Sequence, residues 1–174
     1  MKEEGRIEGE STGGADDATT TRFERHALTA LGTRELFELA RLRIDVFVVE
    51  QACPYPELDD LDVRPDTRHV LGHLGERLIA CARTLPPPAP GEAARIGRVA
   101  VREEHRGRGV AQRLMRWTIG TLEADHPGSP IVLGAQVAVE RFYASLGFVR
   151  VSGEYFEDGI LHVEMQRPPT RKDR

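Results

Sequence analysis

One short turn constrains this chain more than any other feature. A β-rich run ends at Val101, and a few residues later Arg106-Gly107-Arg108-Gly109-Val110-Ala111 opens a helical stretch. Glycines at a strand-to-helix junction let the backbone approach a ligand closely and adopt conformations that side chains forbid. The first turn of a helix also carries unpaired N–H groups and the positive end of the helix dipole. Together these make an anion cradle, and Arg106 and Arg108 add charge beside it. A pyrophosphate is the natural occupant. Two common nucleotide motifs fail here. A dinucleotide fingerprint needs a third glycine and a P-loop needs a second one five residues after the first, but Gln112 occupies that position in both registers. What remains is R-x-x-G-x-A at Arg106, Gly109 and Ala111.

The rest of the chain fits one domain around that turn. Its 174 residues can bury a core of their own. A net charge of -4 argues against a nucleic-acid partner, which would need an excess of Lys and Arg to neutralise phosphates. Cys53 and Cys81 are too few for a disulfide framework and have no metal-ligand spacing. No apolar run reaches the roughly 18 residues of a transmembrane helix, and no leader-like apolar segment follows the N-terminal Met. A cytoplasmic location is therefore expected, with no membrane partner. His69 and His73 would lie ~13 Å apart along a strand, too far to share one zinc ion, so no metal is expected.

Residues 1–20 are rich in Gly, Glu, Ser and Thr and are expected to be a disordered tail, as are 168–174. The domain spans 21–167. Phe23 to Leu31 reads as a first strand. Leu36, Leu39, Ala40, Ile44 and Phe47 recur at helical spacing, predicting a helix over 35–49 with Thr33 as its N-cap. A proline-punctuated acidic loop follows. His69–Leu74 and Leu78–Leu85 predict a hairpin, Arg95–Val101 another strand, and the stretch after Gly109 a helix to about Asp125. Ile131–Leu133 predicts a short strand, Val139–Leu146 a helix capped by Gly147, and Phe148–Val151 and Ile160–Met165 the last strands. The pattern is α/β (α+β): a mixed, mostly antiparallel sheet of six to seven strands flanked by helices.

With this order in hand, the chain resembles the GNAT acetyltransferases. Their coenzyme A loop reads Q/R-x-x-G-x-G/A after the fourth strand. Gln136, Val139, Tyr143, Gly147 and Phe148 fall at the spacing of the same family's N-x-x-A-x-x-x-Y-x-x-x-G-F, departing from it at Gln136 and Val139. Arg43-x-x-Val46-Phe47-Val48-Val49-Glu50-Gln51-x-Cys53-Pro54-Tyr55, Arg68-His69, Ile96-Gly97-Arg98-Val99 and Glu157-Asp158-Gly159-Ile160-x-His162 look like the ElaA-type branch. The resemblance covers about residues 23–166.

It implies acetyl-CoA as cosubstrate and direct attack on its thioester by a primary amine of a small molecule or peptide. Arg106, Gly107, Arg108, Gly109, Val110 and Ala111 would cradle the pyrophosphate. Val99, Ala100 and Val101 would pair with the pantetheine arm and polarise the carbonyl, with Gln136 hydrogen-bonding nearby. Tyr143 would protonate the leaving thiolate. Glu50 is the leading candidate base for the amine, with Glu157, Asp158 and His162 as rivals; taken alone, Glu50 reads more readily as a helix-end carboxylate or a partner of Arg43. The acids Glu57, Asp59, Asp60 and Asp62 are candidates to attract the acceptor. A homodimer is expected by resemblance alone. Two other functions stay open: an acyl-homoserine-lactone synthase, which shares the Arg-x-x-Val-Phe element, and a non-catalytic acetyl-CoA sensor.

Overall fold

The computed structural model describes residues 20–170, so most of both expected tails lies outside the described residues. Strand β1 (Arg22–His26) leads to helix α1 (Thr33–Arg43), which continues as a wider π-helical stretch over Ile44–Glu50. Then come β2 (Arg68–Leu74), β3 (Arg77–Leu85), β4 (Ala94–Val101) and helix α2 (Val110–Asp125). Strand β5 (Ile131–Gln136), helix α3 (Glu140–Ala144), β6 (Val149–Arg150), β7 (Tyr155–Glu157) and β8 (Ile160–Arg167) complete the domain. No helix among the described residues is long and apolar enough to cross a membrane.

All eight strands form one sheet in the order β1-β2-β3-β4-β5-β8-β6, with β7 also paired to β8. Every pairing is antiparallel except β4–β5. The sheet is mixed and mostly antiparallel, as the pattern predicts, and the short β7 is the strand that the periodicity did not register.

Helices cover both faces. On one, Leu39, Leu42 and Val46 pack against Leu71, Leu78, Cys81 and Ala100. On the other, Val110 and Leu114 of α2 meet Val70, Ile79, Ala82 and Val101, while Met115, Ile119 and Leu122 join Ile131, Leu133, Tyr143, Phe148 and Met165. Trp117 lies beside Phe23 at the edge of this core, 6.1 Å between ring centroids.

Several boundaries differ from expectation for physical reasons. Strand β1 stops at His26 because Leu28–Ala30 curls into a 3₁₀ turn. Thr33 is not the N-cap of α1. Gly32 precedes the helix in an extended conformation, and its N–H donates to Glu35 at 2.8 Å. The buried stripe of the helix is Leu39, Leu42, Arg43 and Val46, whereas Leu36 and Ile44 are each 39% exposed. A charged side chain holds a core position there because carboxylates meet it inside. The helix expected from Val139 begins with a 3₁₀ turn at Val137–Val139 and ends sooner, at Ala144. Gly147 (φ 87°) closes it, with the Phe148 N–H donating back to the Tyr143 carbonyl at 3.2 Å.

Two distortions in the middle of the sheet shape the site. The β4–β5 ladder holds only Ala94–Ile131 and Arg95–Val132, although β4 runs on to Val101 and β5 to Gln136. Beyond Arg95 the two strands therefore part. Against β3, Cys81 pairs with Ala100 but Arg83 pairs with Gly97, so β4 carries one extra residue, a β-bulge at Arg98.

Candidate active site

The turn after β4 has the conformation its glycines suggest. Gly107 (φ 70°) and Gly109 (φ 74°) are both left-handed, and Gly109 is the residue just before α2. A Cβ at Gly107 would meet nothing within 4 Å, so the backbone there is open to close approach. Helix α2 has no side-chain cap and no acidic residue in its first turn. Its leading N–H groups, from Val110 and Ala111, are therefore left for another acceptor. Arg108 is exposed, and its carbonyl accepts from Arg113 at 3.1 Å.

Arg106 ties this turn to two other elements. Its Nε donates to the Val101 carbonyl at the end of β4, 2.9 Å away. Its two terminal nitrogens donate to the two carboxylate oxygens of Glu50 at 2.6 and 2.7 Å. The hydrogen bond from Arg106 holds the Glu50 carboxyl below the usual range, outweighing a small opposing effect of burial. Glu50 is thus a partner of Arg106 and not of Arg43.

Beside the turn, the parted strands leave a slot. Half of the backbone groups of a strand point toward each neighbour. On β4 from Ile96 to Val101, those directed away from β3 have no ladder partner in β5. Val99, Ala100 and Val101 occupy this stretch. Gln136 stands at the end of β5, across the slot, and its amide donates to Gln51 at 3.1 Å, just past the π-helical stretch. Tyr143 lies on α3, with its ring edge-on to Phe142 and Phe148. Burial pushes its hydroxyl up to about 12, so it remains a proton donor at neutral pH.

The acidic loop corrects the sequence reading. Glu57 and Asp62 are 4% and 3% exposed and do not face an incoming amine. Arg43 donates to Glu57 at 2.5 Å and to Asp62 at 2.7 Å, and Arg83 to Asp59 at 2.6 Å and Asp62 at 2.7 Å. Arg98 lies 3.1 Å from both Glu57 and Asp59. These arginines neutralise the three acids, and Arg43 and Arg83 hold Asp62 well below the usual carboxylate range against the opposing effect of burial; only Asp60 of the four acids is exposed. His69 is buried against the Asp62 carbonyl, 3.1 Å from it. The rival bases lie together on the β7–β8 hairpin. The Asp158 carbonyl accepts from Cys53 at 3.2 Å, and the His162 ring stacks on Tyr155 with centroids 6.0 Å apart. Among the described residues no group of three His, Cys, Asp or Glu side chains could hold a metal ion. The residue that sequence reasoning missed is Arg98: an arginine in a strand pattern gives no hint of a positive φ.

The chain is similar to known proteins. Residues 74–168 match the acetyltransferase (GNAT) domain family. Protein ElaA of Escherichia coli (strain K12) is 44% identical over 137 residues, covering 79% of this chain and 90% of ElaA. The crystal structure of E. coli ElaA superposes with a TM-score of 0.79 at 40% identity, over 85% of this chain and 99% of that one. An acyl-CoA N-acyltransferase structure from Pseudomonas aeruginosa also gives 0.79, at 36% identity, over 85% of this chain and 99% of that one. The anion-cradling turn, the parted β4 and β5 and these likenesses agree: the chain belongs to the GNAT family of N-acetyltransferases, in its ElaA-like branch.

Proposed function

We propose that this protein transfers the acetyl group of acetyl-CoA to a primary amine of a small molecule or peptide. The observation that carries this reading is the junction of two features at the end of β4. A left-handed glycine turn caps α2 there, and the slot between β4 and β5 opens beside it. The first suits a pyrophosphate and the second an extended amide chain, the two parts of coenzyme A that precede its thiol.

In this reading Arg106, Gly107, Arg108, Gly109, Val110 and Ala111 bind the pyrophosphate through backbone N–H groups and charge. Val99, Ala100 and Val101 pair with the pantetheine amides, and Gln136 adds a side-chain amide. One N–H of that stretch polarises the thioester carbonyl. The amine nitrogen attacks the carbonyl carbon, the C–S bond breaks, the thiolate takes the proton of the Tyr143 hydroxyl, and the nitrogen loses its remaining extra proton to solvent as the neutral amide forms. Tyr143 then regains a proton from solvent. The attacking amine must first lose a proton, and Glu50 is the group we assign to accept it. While it is held by Arg106, Glu50 is a weaker base than an ordinary carboxylate. A pyrophosphate that draws Arg106 away would restore its basicity.

Thiol release from acetyl-CoA, measured against a panel of polyamines, amino sugars, aminoacyl compounds and peptide N-termini, tests the proposal. Release above hydrolysis with at least one amine is expected. Measurable coenzyme A binding with no release from any amine would favour a sensor instead.

A further inference from the structure

Arg98 adopts φ 52°, in the left-handed region that residues with a side chain seldom occupy. It is the extra residue of the β4 bulge and sits just beyond the point where the β4–β5 ladder stops. Bulges bend a strand and re-aim the groups that follow. The groups that follow here are Val99, Ala100 and Val101.

The Arg98 side chain reaches into the acidic loop. Its guanidinium lies 3.1 Å from a carboxylate oxygen of Glu57, 3.1 Å from one of Asp59, and 5.9 Å from the centre of the Tyr55 ring. Those partners are themselves held. Arg43 clamps Glu57 and Asp62 from below, Arg83 clamps Asp59 and Asp62 from β3, and the Tyr55 hydroxyl donates to Glu57. Three guanidiniums meet three carboxylates, so the cluster carries no net charge. A largely buried cluster of this kind is a poor source of stability, because desolvation offsets most of its attraction. Its better-attested use is to impose one conformation.

We propose that Arg98 is a positioning residue for acetyl transfer: its side chain, gripped by Glu57, Asp59 and Tyr55, holds the β4 bulge in the left-handed conformation that aims the Val99–Val101 backbone into the slot. The proposal rests on the acetyl-transfer reading of that slot. It also explains why an acidic loop far along the chain is tied to β4 at all.

The test compares Arg98→Ala with Arg98→Gly. Both variants lose the same ion pairs and the same contact with Tyr55. Glycine alone adopts a positive φ freely. Misplacing a backbone donor by a fraction of an ångström to one ångström costs on the order of 10- to 100-fold in rate. Arg98→Ala is therefore expected to lower kcat by at least about 10-fold. Arg98→Gly should recover to within about 3-fold of the native rate, because no side chain opposes the bulge. Coenzyme A affinity, set largely at the 106–111 turn, should change less than kcat in both. Equal losses in the two variants, or full activity in Arg98→Ala, would overturn the proposal. Coenzyme-free crystal structures of the variants judge the clamp without any assay. The bulge should persist in Arg98→Gly and be lost or shifted in Arg98→Ala; a retained bulge in the alanine variant overturns the idea. Native protein inactive with every amine would instead sink the acetyl-transfer reading and leave this structural comparison to decide the clamp.

Discussion

Both carboxylate oxygens of Glu50 accept hydrogen bonds from Arg106, at 2.6 and 2.7 Å. The pair joins the end of the π-helical stretch to the first residue of the glycine turn, which makes Glu50 a stand-in anion at a site suited to phosphate. In the proposed mechanism it would also link coenzyme binding to proton transfer. Glu50→Gln should tighten coenzyme A binding, since the pyrophosphate would no longer compete for Arg106. The pair is exposed, so the gain is modest, up to about fivefold by calorimetry. Weaker binding would mean that Glu50 orients Arg106 for the phosphate. In the same variant kcat should fall by about 100-fold; an unchanged kcat would pass the base role to Glu157, Asp158, His162 or water.

Gly109→Val should lose coenzyme A binding by calorimetry. The native φ of 74° strains a β-branched residue, and a Cβ there would come within 3.1 Å of the Arg113 guanidinium. The left-handed conformation alone costs about 1–2 kcal/mol for a side-chain-bearing residue. A small drop in melting temperature should therefore accompany the loss. Native affinity in a folded variant would mean that the turn does not bind the coenzyme.

Tyr143→Phe should lower kcat by about 100-fold with little change in coenzyme affinity. The hydroxyl, pushed up to about 12 by burial, stays protonated as pH rises from 7 to 10. The ratio of native to variant kcat should accordingly remain flat across that range. A ratio that falls toward pH 10 would identify a group of lower pKa as the donor.

Asp62→Asn should destabilise the fold by about 3–5 kcal/mol, because Arg43 and Arg83 would be left with an uncompensated buried charge. Asp62 is held below its ordinary value by these arginines and by the Asp59 backbone N–H, against the opposing effect of burial. Its contribution to stability is thus fully present above the ordinary carboxylate range. It is lost as pH falls through that range toward the lowered value. Chemical denaturation of the native protein from pH 7 down to pH 3 should show this acid-sensitive component, and Asp62→Asn should show less of it.

The glycine turn before α2 was legible because its signals are local. Gly107 and Gly109 stand where a strand hands over to a helix, and a positive φ at such a position is a property of a few neighbouring residues. The short helix that carries Tyr143 could be read in the same way, from the spacing to Gly147 and Phe148. The acidic loop was misread because composition reports charge without reporting partners. Glu57, Asp59 and Asp62 look like an amine trap until Arg43, Arg83 and Arg98 are found against them. The buried stripe of α1 was displaced for the same reason, since Arg43 is a core residue only when its carboxylates are present.

The sequence by itself determined the fold class, the glycine turn before α2 and the GNAT family, through periodicity, glycine placement and motif spacing. Tertiary structure decided which charges are spent on one another and where the sheet opens. Arg106 meets Glu50 across 56 residues of chain and Arg98 meets Asp59 across 39. Pairings over such distances depend on how helix, loop and strand pack. The parting of β4 from β5 beyond Arg95 and the positive φ of Arg98 likewise belong to the packed sheet and not to any local pattern.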